Sequence, residues 1–237
     1  MTPPPPPMVF ALAVFVGIVL LSMRPRRFYF VRHGETVMNF TRIRQGSEGG
    51  LTEKGKDQAN RTGMALKAFP IRRMISSTYE RAKETAGIIN QYLKVPILYS
   101  PLLVERKNPH EIVGRPVEDP EVMHIVDLMD LSFHDDDFRI SDEENFLDLR
   151  GRAHKCIDLL AHQGQSGTVV VTHHHFLKMI IAYLLYRNDL HATDFAKLSF
   201  FNAADNAAVT ICDYHPWKMF SSTRGWEVVT YNEHLGG

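Results

Sequence analysis

The run "FYFVRHGETVMN", residues 28–39, closes an apolar segment on Arg32, His33 and Gly34. Its aromatic and β-branched residues read as a short buried strand over 27–31, which then ends on two side chains that need water or a partner. The same oddity recurs twice. The strand "RMISS" (73–77) leads within a few residues to Arg81, and the strand in "GTVVVT" (167–172) ends on His173. Ligands of an open parallel sheet bind outside the carboxyl ends of its strands. Four basic or titratable groups, distant in sequence, would therefore leave the sheet on one edge. Such a set is suited to binding an anion.

Arg81 strengthens that reading. It falls in the first turn of a helix, where the macrodipole disfavours a cation and a bound anion would reverse the penalty. The plainer alternative is a surface arginine paired with Glu80 or Glu84. The tract "HHH" (173–175) looks like a metal site. Consecutive side chains diverge, however, and the i, i+4 pattern of helical metal ligands is absent, so no metal is expected.

The elements that must carry these groups alternate. "LTEKGKDQANRTGMALKAF" opens on a threonine cap and sets Ala59, Gly63, Leu66 and Phe69 on one helical face. "TYERAKETAGIINQYLK" is a helix with Ala82, Thr85, Ala86, Ile89 and Leu93 inward, and "VPILYSPLL" offers a strand leading to Glu105. Residues 106–150 are less regular; their acidic cluster "HDDDFRISDEEN" reads as a solvated loop, with a cation site as the lesser alternative. "FLDLRGRAHKCIDLLAHQ" and "FLKMIIAYLLY" read as helices, and "NAAVTICDY" and "GWEVVTYN" as closing strands. The alternation predicts an α/β protein, a three-layer α/β/α sandwich with a mostly parallel central sheet.

The 237 residues suffice for one such domain. A formal net charge of zero gives no global pull towards nucleic acid, so any anion site is local. Cys156 and Cys212 lie in apolar surroundings without CxxC spacing and read as reduced core residues. The N-terminus differs in kind. "MTPPPPP" precedes an uncharged run, residues 8–23, and then "RPRR". A helix of that length reaches about 24 Å, enough to span a membrane with help from snorkelling arginines. The positive charges follow the run, which argues against a secretory signal and leaves the bulk of the chain cytoplasmic. The expected organisation is therefore a hydrophobic anchor segment in residues 1–23 and a catalytic domain in 24–237. A start at Met23 would instead give a protein without the anchor.

The ordered set "VRHGETVMN", "LTEKGKDQA", "SSTYERAKETA", "LLVER" and "VVVTHHH" resembles the histidine phosphatase superfamily, the phosphoglycerate mutase-like family, from about Phe28 to about Thr230. The resemblance implies a metal-independent phosphomonoesterase with no cofactor. Arg32, His33, Arg81 and His173 match the family's phosphate pocket, Asn39 an accessory phosphate ligand and Glu105 the proton donor; Gln45, Gly46 and His174 are assigned to substrate binding. His33, neutral, would attack phosphorus and become phosphohistidine. Arg32, Arg81 and a protonated His173 would neutralise the equatorial oxygens, the arginines through their planar forks. Glu105 would protonate the leaving group and then activate water. An ordinary salt bridge to Arg106 is the competing role for Glu105, and Glu111 is the fallback acid.

Two departures from the family bear on function. His174 and His175 stand where a small residue commonly follows the second histidine. The mutase-type "ERHYG" is replaced by "ERKNPHEIVG", which favours hydrolysis over a cofactor-dependent phosphoglycerate mutase. Residues 106–150 would form a cap that sets substrate choice, a small phosphate ester or a phosphoprotein. Arg42, Arg44 and Lys107 are equally readable as a second anion site or as solvated charges. An inactive, membrane-tethered phosphate-binding module is the reading outside enzymes, and it would require loss of His33 or an arginine partner.

Overall fold

Phe28 and Phe30 project to one side of the first strand, and Tyr29 and Val31 to the other; all four are buried. A strand apolar on both faces must lie inside a sheet covered on both sides. The computed structural model describes residue 11 and residues 23–131, 135–201 and 204–235. In chain order its elements are β1 (Arg26–Arg32), α1 (Val37–Phe40), α2 (Glu53–Leu66), β2 (Arg73–Ser77), α3 (Glu80–Leu93), β3 (Ile97–Ser100) and α4 (Pro120–Leu131). There follow α5 (Phe146–Gln163), β4 (Thr168–Thr172), α6 (His174–Tyr186), α7 (Ala192–Phe201), β5 (Val209–Tyr214) and β6 (Trp226–Glu233).

The strands form one six-stranded sheet in the order β3-β2-β4-β1-β5-β6. β1 to β4 run parallel, while β5 and β6 are antiparallel additions at one edge. Val170 of β4 lies opposite Phe30 of β1 on one side and Ile75 of β2 on the other. This register sets the carboxyl ends of β1, β2 and β4 side by side. Helices α2 and α3 cover the Tyr29 and Val31 face through Ala59, Leu66, Ala82, Ala86 and Ile89. Helices α5 and α6 cover the opposite face through Leu149, Ile157, Phe176 and Ile180. Each fully buried Leu, Ile or Phe among them contributes roughly 1.5–3 kcal/mol of transfer free energy. The expected three-layer sandwich is the observed fold.

Cys156 and Cys212 sit in the core as free thiols; burial pushes the Cys156 thiol up to about 12. The uncharged run expected to form an anchor lies, from residue 8 to 22 with the exception of Ala11, outside the described residues. Among the described residues, no helix is long and apolar enough to cross a membrane.

Residues 106–150 are more ordered than their sequence suggests. Val122, Ile125, Val126 and Met129 share a face of α4 and pack with Ile112 and Ile140 into a small satellite core. Asp119 caps that helix by accepting from the N–H groups of Glu121 and Val122, a signal present in "EDP" and overlooked beside the acidic residues. The acidic cluster is not simply solvated. The Glu143 side chain is 1% exposed and pairs with Arg106 at 2.5 Å. Glu144 receives Arg152 at 2.6 Å, and Asn145 caps α5. The charges are buried because residues 139–145 fold back onto the chain leaving β3. Helix α7 was likewise not anticipated.

Removing one partner of a buried ion pair leaves the other uncompensated. Glu143→Ala is expected to destabilise the protein by about 3–5 kcal/mol in urea unfolding. A loss below about 1 kcal/mol would return the pair to the ordinary surface class.

Candidate active site

The site is built where β1, β4 and β2 end together. His33 follows β1, and its Nδ1 lies 2.7 Å from the Gly34 carbonyl. A carbonyl only accepts, so Nδ1 carries the proton and Nε2 keeps a lone pair. Arg81 lies in the first turn of α3 and is 2% exposed. Its Nε is 3.2 Å from His33 Nε2 and 3.2 Å from His173 Nδ1, so one N–H bridges two imidazoles. Its Nη1 donates to the Gly46 carbonyl at 2.7 Å. The alternative of a surface ion pair is excluded: Glu84 accepts instead from the Leu51 N–H and Glu80 from the Gly49 N–H.

His173 is fully buried, and its Nε2 lies 2.7 Å from Ser77 Oγ at the end of β2. With Nδ1 accepting from Arg81, the proton belongs on Nε2 and is donated to Ser77. These bonds fit a neutral His173, whereas the family resemblance implies a protonated ring when a phosphoryl group is being transferred. Burial, followed by the neighbouring His33 and Arg81, holds its pKa well below the ordinary histidine value. Burial, then the charges of Arg81 and Arg32, does the same to His33. Two guanidiniums carry the positive charge, and the imidazoles between them are neutral.

A pocket of about 410 Å³ opens over this edge. Arg32, His33, Asn39, Gln45, Arg81, Glu105 and His174 all reach its wall. His173 and Gly46 do not line it. His173 stands behind Arg81, and Gly46 meets Arg81 through its carbonyl. Arg32 donates to the Ala204 carbonyl at 2.5 Å, and His174 Nδ1 meets the same oxygen at 3.0 Å. Asn39 and Thr36 form a reciprocal cap on α1, while Gln45 accepts from Thr36 and donates to the Glu48 carbonyl.

Glu105 lies at the N-terminus of α6. Its Oε1 accepts from the N–H groups of Arg106 and Phe176, and its Oε2 from that of His175. An acidic group at that position complements the helix dipole. Arg106 pairs with Glu143, which removes the competing role of Glu105 as its ion-pair partner. Glu111 is absent from the pocket wall and sits beside His110, so the fallback acid is misplaced. Lys107 pairs with Asp142, whereas Arg42 and Arg44 line the pocket. The 106–150 region contributes Asn108 and Val117 to the wall and pairs with the 42–44 loop through Gly114, Arg115 and Val117.

Several supporting residues were not singled out from the sequence. Thr85 accepts from the Gly34 N–H and donates to the Arg81 carbonyl, tying the two halves of the site. Arg152 of α5 donates to the carbonyls of Leu102, Val104 and Glu105 and holds the segment that presents Glu105. In the sequence Thr85 reads only as an inward helix position, and nothing near Arg152 points to residue 105. Gly34 is required by packing: a Cβ there would sit 2.4 Å from the Gly55 carbonyl oxygen. The three consecutive histidines diverge. His175 turns into the core edge-on to Phe195, at 5.2 Å between ring centres. The exposed group His110, Glu111 and Asp142 could gather about a cation, but Lys107 already occupies Asp142.

The fold and this constellation define an α/β protein with two arginines and two histidines gathered at one sheet edge, and the family comparison places it. Residues 28–232 match the model of the histidine phosphatase superfamily (branch 1), and the chain belongs to that family. It is 40% identical over 78 residues to the "Probable phosphoglycerate mutase GpmB" of Erwinia tasmaniensis, covering 32% of this chain and 36% of that protein. It is 39% identical over 90 residues to the "Uncharacterized phosphatase PhoE" of Bacillus subtilis, covering 38% and 46%. The matched stretches thus span less than half of those curated relatives. Among solved structures, YhfR of Bacillus stearothermophilus superposes with a TM-score of 0.70 at 24% identity, over 89% of this chain and 99% of that one. A mycobacterial glucosyl-3-phosphoglycerate phosphatase in complex with VO3 gives 0.71 at 21% identity, over 87% and 99%. These likenesses establish the shared fold.

The buried neutral histidines give a pH signature. His33, His173 and His175 are all held well below the ordinary value, foremost by burial. Unfolded, each binds a proton below about pH 6.5. Their contribution to stability is therefore full above that pH and is lost as pH falls, by up to about 1.4 kcal/mol per pH unit for each. Urea midpoints should drop between about pH 7.5 and about pH 5.5. His175→Phe, which keeps the contact with Phe195 and the backbone bond to Glu105, should make that drop shallower. Identical slopes would mean that His175 takes up its proton equally in the folded and unfolded chains.

Proposed function

We propose that the protein is a metal-independent phosphomonoesterase that works through a phosphohistidine on His33. The observation that carries this reading is the neutral His33 ring, with its Nδ1 proton committed to Gly34 and its Nε2 beside Arg81. The Nε2 lone pair forms the N–P bond while the ester P–O bond breaks, and the electron pair leaves on the alcohol oxygen. The Gly34 carbonyl then stabilises the N–H of a ring that has become electron-poor. Arg32 and Arg81 face the oxygens of the transferring group, where preorganised charge acts most strongly. The incoming phosphate takes over the Arg81 N–H now shared with the two imidazoles.

Glu105, protonated on Oε2 for the first step, gives that proton to the departing oxygen; as the carboxylate it then takes a proton from the water that attacks phosphorus, the N–P bond breaks, and inorganic phosphate and the neutral His33 ring are released. Asn39, Gln45 and His174, on the pocket wall, are the side chains assigned to the ester in this reading, while Gly46 and His173 act through Arg81. The pocket volume and its wall of residues 42–44 and 117 suit a small ester better than a phosphoprotein. The mutase reading draws on the name of the GpmB relatives; an assay for transfer between positions of a phosphoglycerate separates it from hydrolysis. Attachment to a membrane rests on the uncharged run 8–23 alone, and recovery of the intact chain in the soluble fraction would remove it.

His33→Ala should abolish turnover with the fold intact by circular dichroism, and rapid quenching of the wild type should trap an acid-labile, base-stable phosphoenzyme. Retention of a tenth of the activity would remove His33 from this role.

Glu105 is separable by leaving group. An alkyl phosphate departs as a strongly basic alkoxide and needs a proton, whereas nitrophenyl phosphate does not. Glu105→Gln should slow alkyl ester cleavage by about 10²- to 10⁴-fold, with a clearly smaller loss in the burst phase from the aryl ester. Equal burst losses for both esters would make Glu105 a positioning residue.

A further inference from the structure

A second depression lies along α6. It has a volume of about 240 Å³ and is walled by Ile181, Ala182 and Leu185 of α6, Phe195 and Leu198 of α7, and Val228 of β6. Lys178 and Tyr231 are the polar side chains on its wall. Its apolar surface is open to solvent, since Leu185 is 48% exposed. Tyr231 Oη, buried at its side, has no hydrogen-bond partner among the described residues.

The cleft and the phosphate pocket share no lining residue, but both are reached from α6. His174 lines the pocket and Lys178 lines the cleft, and residues four apart on a helix share a face at a rise of about 6 Å. Burial and the positive charge of Arg32 lower the pKa of Lys178, while Glu105 opposes them, so the ammonium feels both pocket residues. Farther along the same face come Ile181, Ala182 and Leu185. The face of α6 thus runs from a bis-arginine anion site, past one ammonium, into an apolar trough with a single free hydroxyl. A solvated surface groove has no need of that order. An amphiphile with an anionic head and an apolar tail matches it group by group.

We propose that the cleft is the tail subsite of the active site, and that the preferred substrates are phosphate monoesters carrying an alkyl or isoprenoid chain that lies along α6. The inference rests on the reading of the 410 Å³ pocket as the phosphate site, and it names a substrate class that the pocket alone does not. The head group sits over Arg32 and Arg81, the chain passes His174 and Lys178, and its end is buried against Leu185, Phe195 and Leu198. Tyr231 offers a hydrogen bond to a polar substituent on the chain.

The test uses the full chain and non-hydrolysable probes, ethylphosphonate and hexylphosphonate, titrated by calorimetry, with turnover of ethyl and hexyl phosphate measured in parallel. Each fully buried methylene is worth up to about fourfold in affinity, so hexylphosphonate should bind at least about tenfold more tightly than ethylphosphonate. Leu185→Asp, at an exposed position, should bring that ratio close to one and leave ethylphosphonate affinity unchanged. Equal binding of the two probes by the wild type would overturn the tail subsite, as would binding of neither. A flat profile with a dimer that Leu185→Asp dissociates would assign the cleft to a second copy, and this too overturns the proposal. The two readings fail separately. Chain-length-dependent binding without turnover of either ester would sink the phosphatase reading and leave the subsite standing, whereas turnover with a flat profile would do the reverse.

Discussion

One buried guanidinium organises this site. Arg81 places a permanent positive charge at the N-terminal turn of α3, where the helix dipole opposes it. The desolvation cost is offset by directed bonds: Nη1 to the Gly46 carbonyl, and Nε to the two imidazoles. Those bonds in turn decide the tautomers. His33 must keep its proton on Nδ1 for Gly34, and His173 must keep its own on Nε2 for Ser77. A cation held so near two histidines also keeps them neutral, which is the form a nucleophile needs. The glycine-rich loop of residues 45–50, Thr85 and the end of β2 are all arranged about this one side chain.

The sheet makes the arrangement possible. Because β4 lies between β1 and β2, with parallel pairing on both sides, three carboxyl ends emerge as neighbours. Residues separated by roughly half the chain then stand within one hydrogen bond of each other. Helix α6 begins at the same edge, and its first N–H groups fix Glu105 across from the arginines. Arg152 secures the strand exit that delivers Glu105. The antiparallel pair β5 and β6 extends the sheet away from this edge and supplies, through Val228 and Tyr231, one wall of the apolar cleft.

Much of this arrangement is legible in the sequence. The strands 73–77 and 168–172 and the helix 146–163 coincide with their apolar patterns to within a residue, because each is apolar where it must be buried. Arg32, His33, Arg81 and His173 are legible for the same reason: polar residues at or just past the ends of buried strands stand out. The 106–150 region was misread because its charges masked the 3.6-residue apolar period of α4 and the buried pairing of Glu143. Charge partners distant in sequence carry no local signal, so Glu143 with Arg106 and Arg152 with Glu144 could not be seen.

The sequence by itself determined the family, the layered α/β architecture and the identities of the nucleophile candidate and its arginines. These follow from local periodicity and from side-chain types, which a linear chain displays. Only the tertiary structure decided which groups face the pocket and which support it from behind. It set His173 and Gly46 behind Arg81, took Lys107 and Glu111 out of the site, and kept Arg42 and Arg44 on its wall. It also set the surroundings of the histidines, since burial and then the neighbouring His33 and Arg81, none of them visible along the chain, lower the pKa of His173. Position on a strand is a property of sequence, whereas dielectric surroundings and hydrogen-bond partners are properties of packing.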